Sequence, residues 1–315
     1  MPPRIAVLIP CHNEAVAIAK VIGDFRASLP GAAIYVFDNN SSDQTATVAR
    51  EAGAIVRHES LQGKGNVVRR AFADVEADIY VLVDGDDTYD ATAAPGMVAL
   101  LVKCRLDMVN GARETEIEQA YRPGHRFGNR VLTRLVTSIF GDRLSDILSG
   151  YRVFSRRFVK SFPALAAGFE TEVEFTIHAL NLKMPVAEVT TRYKDRPTGS
   201  ISKLNTFGDG ARILRTILLL VKEERPLSFF AAVALAMLLA GLAVGLPVVT
   251  EFWRTGLVPK LPSAVLATAL VVLSFLSLVC GLVLDSVMRG RLEIKRLAYL
   301  SMPALTDRET ERIDV

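Results

Sequence analysis

Residues 227–250 and 261–284 carry no charged side chain, two runs of 24 residues each. At a helical rise of about 1.5 Å per residue, each would extend about 36 Å, enough to cross a hydrocarbon core with some tilt. Buried core helices are the alternative, but two uncharged runs of this length, paired near the end of the chain, favour membrane spans. They leave a polar head of roughly 205 residues ahead of them, of domain size. Half of the 315 residues are hydrophobic and the mean hydropathy is +0.29, an excess gathered in these runs. The opening "MPPRIAVLIPCHNE" is not expected to be a signal peptide, because its apolar run stops at Pro10. Lys and Arg number four in residues 207–226, two between the spans (Arg254 and Lys260) and four in 285–305. By the positive-inside rule, the head and the C-terminal tail face the cytoplasm and a short loop lies outside. Cys11, Cys104 and Cys280 show no C-x-x-C spacing and suit a reducing compartment. The net charge of +3 is concentrated near the spans, which points to anionic lipid or phosphate. No nucleic-acid motif is present, and none is expected to bind.

Within the head, short apolar runs alternate with helical patterns. "RIAVLIP", "AAIYVFD", "AIVRH" and "DIYVLVD" read as strands, separated by helices in "EAVAIAKVIGDFRASLP", "QTATVAREAG" and "NVVRRAFADV". Ser42 or Asp43 can cap the second helix and Gly53 ends it. "AAPGMVALLVK" and "DMVNGAR" continue the alternation, which implies a mostly parallel sheet covered by helices on both faces. Ligands of such sheets bind at the carboxyl ends of the strands. The polar clusters Cys11-His12-Asn13-Glu14, Asp38-Asn39-Asn40 and Asp84 to Asp90 all fall there. Residues 113–126 lack periodicity and read as a mobile loop. "HRFGNRVLTRLVTSIF" and "TEVEFTIHALNL" read as helices, "SGYRVFSRR" as a strand followed by a turn and "VAEVTTRY" as a strand. "FGDGARILRTILLLVKEERP" reads as an interfacial amphipathic helix, with a core helix as the alternative.

The acidic run "DGDDTYD" admits three readings. A calcium loop fails, because Tyr89 and Pro95 stand where its sixth-position Gly and twelfth-position Glu should be. A phosphohydrolase of the haloacid dehalogenase type would use Asp84-Asp86-Thr88 with Gly141-Asp142-Asp146. Three strands precede the first of these motifs, however, and helical spacing precedes the second. In a nucleotide-sugar transferase, two carboxylates one residue apart at a strand end hold a divalent ion against a diphosphate.

Several segments taken in order sharpen the third reading: "VLIPCHNE", "VFDNNSSDQT", "GKGNVVRRAF", "DGDDTYD", "SDILSGYRVFSRR" and "DRPTGSISKL". Together they resemble family 2 glycosyltransferases of the GT-A fold, specifically the membrane-anchored dolichol- or polyprenol-phosphate sugar synthases. Asn39 and Asn40 depart from that family's D-D-G-S, and Gly85 from its D-A-D. The resemblance covers about residues 4–204. It implies an α/β, Rossmann-like GT-A domain (1–205), a juxtamembrane helix (206–226), two transmembrane helices (227–250 and 261–284) and a cytoplasmic tail (285–315). It further implies inverting transfer of a sugar from a nucleotide diphosphate, UDP being favoured over GDP, to undecaprenyl or dolichyl phosphate. The setting would be the cytoplasmic face of a bacterial inner membrane, and self-association stays open. A processive polysaccharide synthase is a further alternative, but Trp253 in "TEFWRT" stands in no Q-x-x-R-W.

The resemblance implies that Pro10, Asn13, Glu14, Asp38, Asn40, Lys64, Gly65, Asp84 and Asp86 bind the nucleotide sugar, with Asp38 on the base edge. Asp84 and Asp86 are the ligands expected for Mn²⁺ or Mg²⁺, and Asp86 and Asp146 the catalytic candidates. Arg113, Arg126, Arg130, Arg152, Arg196 and Lys203 are the candidates for the acceptor phosphate, because guanidinium forks suit phosphate oxygens. Of these, Arg113 with Arg126 or Arg130 is preferred, and Asp146 is expected to orient the acceptor site or its arginines. Plainer alternatives remain. Asp38 and Asn40 can form an Asx turn, Lys64 can be solvated, and Asp146 can cap a turn. Arg113, Arg126 and Arg130 can form a solvated face. His12 and His125 are expected to make hydrogen bonds rather than bind metal. Of Glu170, Glu172 and Glu174, at most two can face the site.

Overall fold

The computed structural model describes residues 3–114, 144–168, 170–195, 222 and 225–304. The chain divides into two compact units, one of residues 1–213 with 295–315 and one of residues 214–294.

The first unit is built on a seven-stranded sheet in the order β3-β2-β1-β4-β6-β5-β7. Its strands are β1 (Ile5–Cys11), β2 (Ala33–Asp38), β3 (Ile55–His58), β4 (Ile79–Leu82), β5 (Met108–Glu114), β6 (Arg152–Ser155) and β7 (Val186–Arg192). The helices are α1 (Ile18–Ser28), α2 (Thr45–Glu51), α3 (Lys64–Asp74), α4 (Ala94–Lys103), α5 (Arg156–Ser161) and α6 (Thr171–Asn181). Strands β1 to β4 pair in parallel, as the strand–helix alternation requires, and so do β5 and β7. Strand β6 runs antiparallel to both of its neighbours.

Side chains leave alternate faces of each strand, so the sheet supports two separate cores. Val7, Ile9, Val36, Val81 and Val153 pack with Ile22 and Phe25 of α1 and with Met97 and Leu101 of α4. On the other face Phe72, Phe154, Phe158, Phe162 and Phe175 form an aromatic cluster, with ring centroids 4.9 Å apart for both Phe154–Phe175 and Phe162–Phe175. Each such ring, when buried, contributes about 1.5–3 kcal/mol of transfer free energy. The register sets Cys11 beside Asp38 and Asp38 beside His58, and Leu8 beside Leu82. The three polar clusters therefore emerge along one sheet edge.

In the second unit lies most of two long helices, α7 (Pro226–Thr255) and α8 (Leu261–Leu300), each with an 18-residue window of mean hydropathy 2.5. Only 11% of each window is buried, the reverse of a core helix in a soluble domain. By length and composition both can cross a membrane. They bury residues seven apart, Ala234, Gly241 and Val248 on α7 and Ala267, Ser274 and Gly281 on α8, all small except the valine. Ser277 Oγ donates to Phe230 O at 3.1 Å. Close approach of backbones through small residues is how apolar helices associate without a hydrophobic drive. Helix α8 runs on through residues expected to lie in a tail, and in its last turn Tyr299 donates to Asp107 Oδ2 within the first unit at 2.8 Å. Most of the expected juxtamembrane helix, residues 206–221 and 223–224, and the helix expected over 125–140 lie outside the described residues.

Candidate active site

The first two loops at the sheet edge are tied to each other. Asn13 adopts a left-handed backbone (φ 54°), and its Oδ1 accepts from Ser42 N at 2.7 Å. Glu14 N donates to Thr45 Oγ1 at 2.8 Å, and Asp43 Oδ1 accepts from Thr45 N at 3.0 Å at the start of α2. His12 Nδ1–H donates to Asn39 O at 2.7 Å, as expected of a hydrogen-bonding histidine. Half-buried Pro10 lies beside Phe37 in the same edge. Asp38 is buried. Its Oδ2 lies 3.4 Å from His58 Nδ1, while its Oδ1 has no hydrogen-bond partner among the described residues. That oxygen is a ready acceptor for a donor group on a ligand.

Asn39 and Asn40, the departures from the D-D-G-S pattern, serve the fold. Asn39 Nδ2 donates to Glu59 O and Leu61 O, its Oδ1 accepts from Gly63 N at 2.7 Å, and Asn40 Nδ2 donates to Ser60 O. They stitch down the loop that delivers Lys64. Gly65 N–H donates to Ala167 O at 3.1 Å, and a Cβ there would lie 2.1 Å from Ala166 O. The glycine is required by close packing on the chain's own backbone.

The aspartates of "DGDDTYD" separate into distinct tasks. Asp84 pairs with Lys64, whose ammonium also sits 2.6 Å from Glu172 Oε1. Lys64 is nearly buried, with 8% of its side chain exposed. Burial disfavours its charge, but Asp84 and Glu172 outweigh that and raise its pKa above the usual lysine value. Asp86 is buried, and its Oδ1 accepts from Thr88 Oγ1 at 2.6 Å. Asp87 pairs with Lys20 at 2.9 Å, and Asp90 accepts from Thr92 N at 3.0 Å. Among the described residues no three His, Cys, Asp or Glu side chains form a metal-binding group. Asp84 and Asp86 are two hard carboxylates of the kind that suits a divalent ion, and the ion's remaining ligands would have to come from a bound substrate.

Opposite these residues, Asp146 grips Arg113. Arg113 Nε donates to Asp146 Oδ2 at 2.7 Å, Nη2 to Oδ1 at 2.9 Å, and the Arg113 backbone N to Oδ2 at 3.2 Å. Burial works against the Asp146 carboxylate, yet the Arg113 guanidinium holds its pKa below the usual carboxylate value. Asn110 Nδ2 donates to Asp146 O and to Glu188 Oε2, and Glu188 Oε1 accepts from Ser145 N. The segment before β6 is thereby clamped to β5 and β7. Tyr193 lies under Arg113, its ring centroid 5.6 Å from Cζ. Tyr89 Oη accepts from Gly150 N at 2.9 Å.

Arg152 does not stand where an acceptor phosphate could reach it. It is fully buried, donating from Nε to Ser149 O, from Nη2 to Ile147 O and from Nη1 to Thr176 Oγ1. Burial lowers its pKa to about 10. It braces the turn that carries Asp146. Arg126, Arg130, Arg196, Lys203 and His125 lie outside the described residues, as do Gly141 and Asp142 of the phosphohydrolase motif. Sequence reasoning left Glu172 unresolved among three alternating glutamates. It passed over Glu188 and Tyr193, which no motif marks.

The model for "Glycosyl transferase family 2" matches residues 6–162. The glycosyltransferase AglJ of Haloferax volcanii is 33% identical over 306 residues, covering 95% of this chain and 99% of that protein. A dolichyl-phosphate hexose transferase of the same organism is 29% identical over 221 residues, 70% of this chain and 95% of that one. Among solved structures, glucosyl-3-phosphoglycerate synthase from Mycobacterium tuberculosis, in complex with Mn²⁺, UDP and glucosyl-3-phosphoglycerate, superposes with a TM-score of 0.56 at 23% identity. That match spans 70% of this chain and 79% of that one, and shows the shared fold. A strand-borne D-x-D on a GT-A sheet, matched over nearly the whole chain by a glycosyltransferase, leaves one assignment: the chain belongs to glycosyl transferase family 2.

Proposed function

We propose that this glycosyltransferase moves a sugar, with inversion, from a nucleotide diphosphate donor, UDP-linked by preference, to a polyprenyl phosphate at the cytoplasmic face of a membrane. The observation that carries this reading is the Arg113–Asp146 fork. Asp146 spends both oxygens on a guanidinium that also lowers its pKa, so it is a poor proton acceptor. A sugar hydroxyl acceptor would need a base close to the anomeric carbon. A phosphate monoester needs none, because its second pKa is about 6 by analogy with phosphoserine and it arrives ionised. What such an acceptor needs is an oriented cation, and Arg113 is one. The relative named as a dolichyl-phosphate hexose transferase and the two apolar helices support the same acceptor.

On the donor side, Asp38 offers to the nucleobase an oxygen that has no partner among the described residues, and Lys64 stands beside Asp84 on the diphosphate side. Asp84 and Asp86 would hold Mn²⁺ or Mg²⁺, which when bound neutralises the departing nucleoside diphosphate. The 4/2/4 distribution of basic residues supports a cytoplasmic head with residues 251–260 outside. The phosphohydrolase reading loses its second acidic motif, since Asp146 is committed to Arg113. Incubation of membranes with a panel of nucleotide sugars, polyprenyl phosphate and Mn²⁺, followed by lipid extraction, tests the reading. One donor should label the lipid phase, and labelling of none would refute it.

A further inference from the structure

We propose that Glu172 is a positioning residue of the donor site: a second seat that lets the Lys64 ammonium leave Asp84 to a divalent cation while its own charge stays paired. This rests on the donor-site reading above. Lys64 opens α3 and Glu172 lies in the first turn of α6, so the contact is made only by the fold. The lysine side chain is 8% exposed and the glutamate side chain 5%, so neither charge has water to fall back on.

The charge balance explains why two carboxylates surround one ammonium. With Lys64 between Asp84 and Glu172 the cluster holds one positive and two negative charges. A dication that takes Asp84 and Asp86 neutralises those two, and leaves Lys64 and Glu172 as a closed pair. Without Glu172 the same event would strand a buried ammonium next to a dication, an uncompensated charge of the kind that destabilises strongly. Lys64 would then hold Asp84 against the metal.

Two further observations fit the exchange. Glu172 Oε2 is buried and has no hydrogen-bond partner among the described residues. It is the acceptor an N–H released from Asp84 requires, so the carboxylate can take the ammonium through both oxygens. Space for the exchange is kept at Gly150, where a Cβ would lie 2.3 Å from Asp84 Oδ2 and 3.0 Å from Lys64 Nζ.

The test is Mn²⁺ binding to the full-length protein in detergent in the presence of UDP, free Mn²⁺ being read by its electron paramagnetic resonance signal against UDP alone. Glu172→Gln should weaken Mn²⁺ binding about tenfold, Lys64→Met should tighten it, and Glu172→Gln should have little effect in the Lys64→Met background. Lys64→Met also serves if the glutamine variant fails to fold, since weaker Mn²⁺ binding by Lys64→Met would overturn the exchange. Equal weakening by Glu172→Gln in both backgrounds would reduce its role to a through-space charge and overturn the proposal alone. A wild-type protein that binds no Mn²⁺ beyond what UDP binds alone would overturn the donor-site reading and the proposal with it.

Discussion

Asp146 holds Arg113 through both carboxylate oxygens, at 2.7 and 2.9 Å, although 33 residues separate them in the chain. The fork fixes the guanidinium plane, and the Tyr193 ring beneath it restricts its motion further. Arg113→Ala is expected to raise the KM for polyprenyl phosphate at least about tenfold, equivalent to one charge-assisted hydrogen bond, while the donor KM moves far less. Asp146→Asn loosens the fork without removing the cation and should keep measurable activity. An intact lipid KM together with complete loss in Asp146→Asn would make Asp146 a true base.

Asp86 is locked by Thr88, so its carboxylate cannot turn away from the strand end. Asp86→Ala should lower transfer by more than about a hundredfold, the scale of removing a preorganised electrostatic group. EDTA should abolish activity reversibly, with Mn²⁺ or Mg²⁺ restoring it. Full turnover in EDTA would remove the ion from the account.

Strands β1, β2 and β4 and the polar loops that follow them were legible because short apolar runs ending in Cys11, Asp38 and Asp84 carry their own punctuation. The direction of β6 was not, since periodicity states which residues face a core and says nothing of strand polarity. Arg152 misled for a related reason. An arginine is usually solvated, and only the carbonyls of Ile147 and Ser149 converging on this one at the start of β6 show that it is a buried brace. Glu172 needed the fold as well, because alternate residues on a helix diverge and the sequence does not say which one meets Lys64.

Gly65 and Gly96 provide a matched pair for the packing claim. A Cβ at Gly65 would lie 2.1 Å from Ala166 O, whereas one at Gly96 in α4 meets nothing within 4 Å. Gly65→Ala should destabilise the head by about 1–3 kcal/mol through forced backbone movement. Gly96→Ala should be neutral or stabilising by about 0.5–1 kcal/mol. Thermal unfolding of the two variants side by side checks this, and equal Tm values would contradict the tight contact.

His178 is buried against Phe158 and Phe162 with its Nε2 3.0 Å from Ser161 Oγ, and burial lowers its pKa from 6.5 to about 3. In the unfolded chain the ring takes a proton as pH falls below about 6.5, while the folded ring stays neutral. Its contribution is thus fully present above that pH and is lost progressively as pH falls towards 3, by about 2 kcal/mol at pH 5. Tm measured from pH 7 to 5 should fall less steeply in His178→Gln than in the wild type. Parallel slopes would show that the ring is not the titrating group.

The central claim is an acceptor that arrives already ionised, and it is tested most directly by offering polyprenyl phosphate and polyprenol side by side with the accepted nucleotide sugar. The account predicts a lipid product one glycosyl residue heavier than polyprenyl phosphate, formed together with the free nucleoside diphosphate, and no product from the alcohol. Equal transfer to polyprenol would show that the enzyme deprotonates its acceptor, and would contradict the acceptor-orienting role of Arg113 and Asp146.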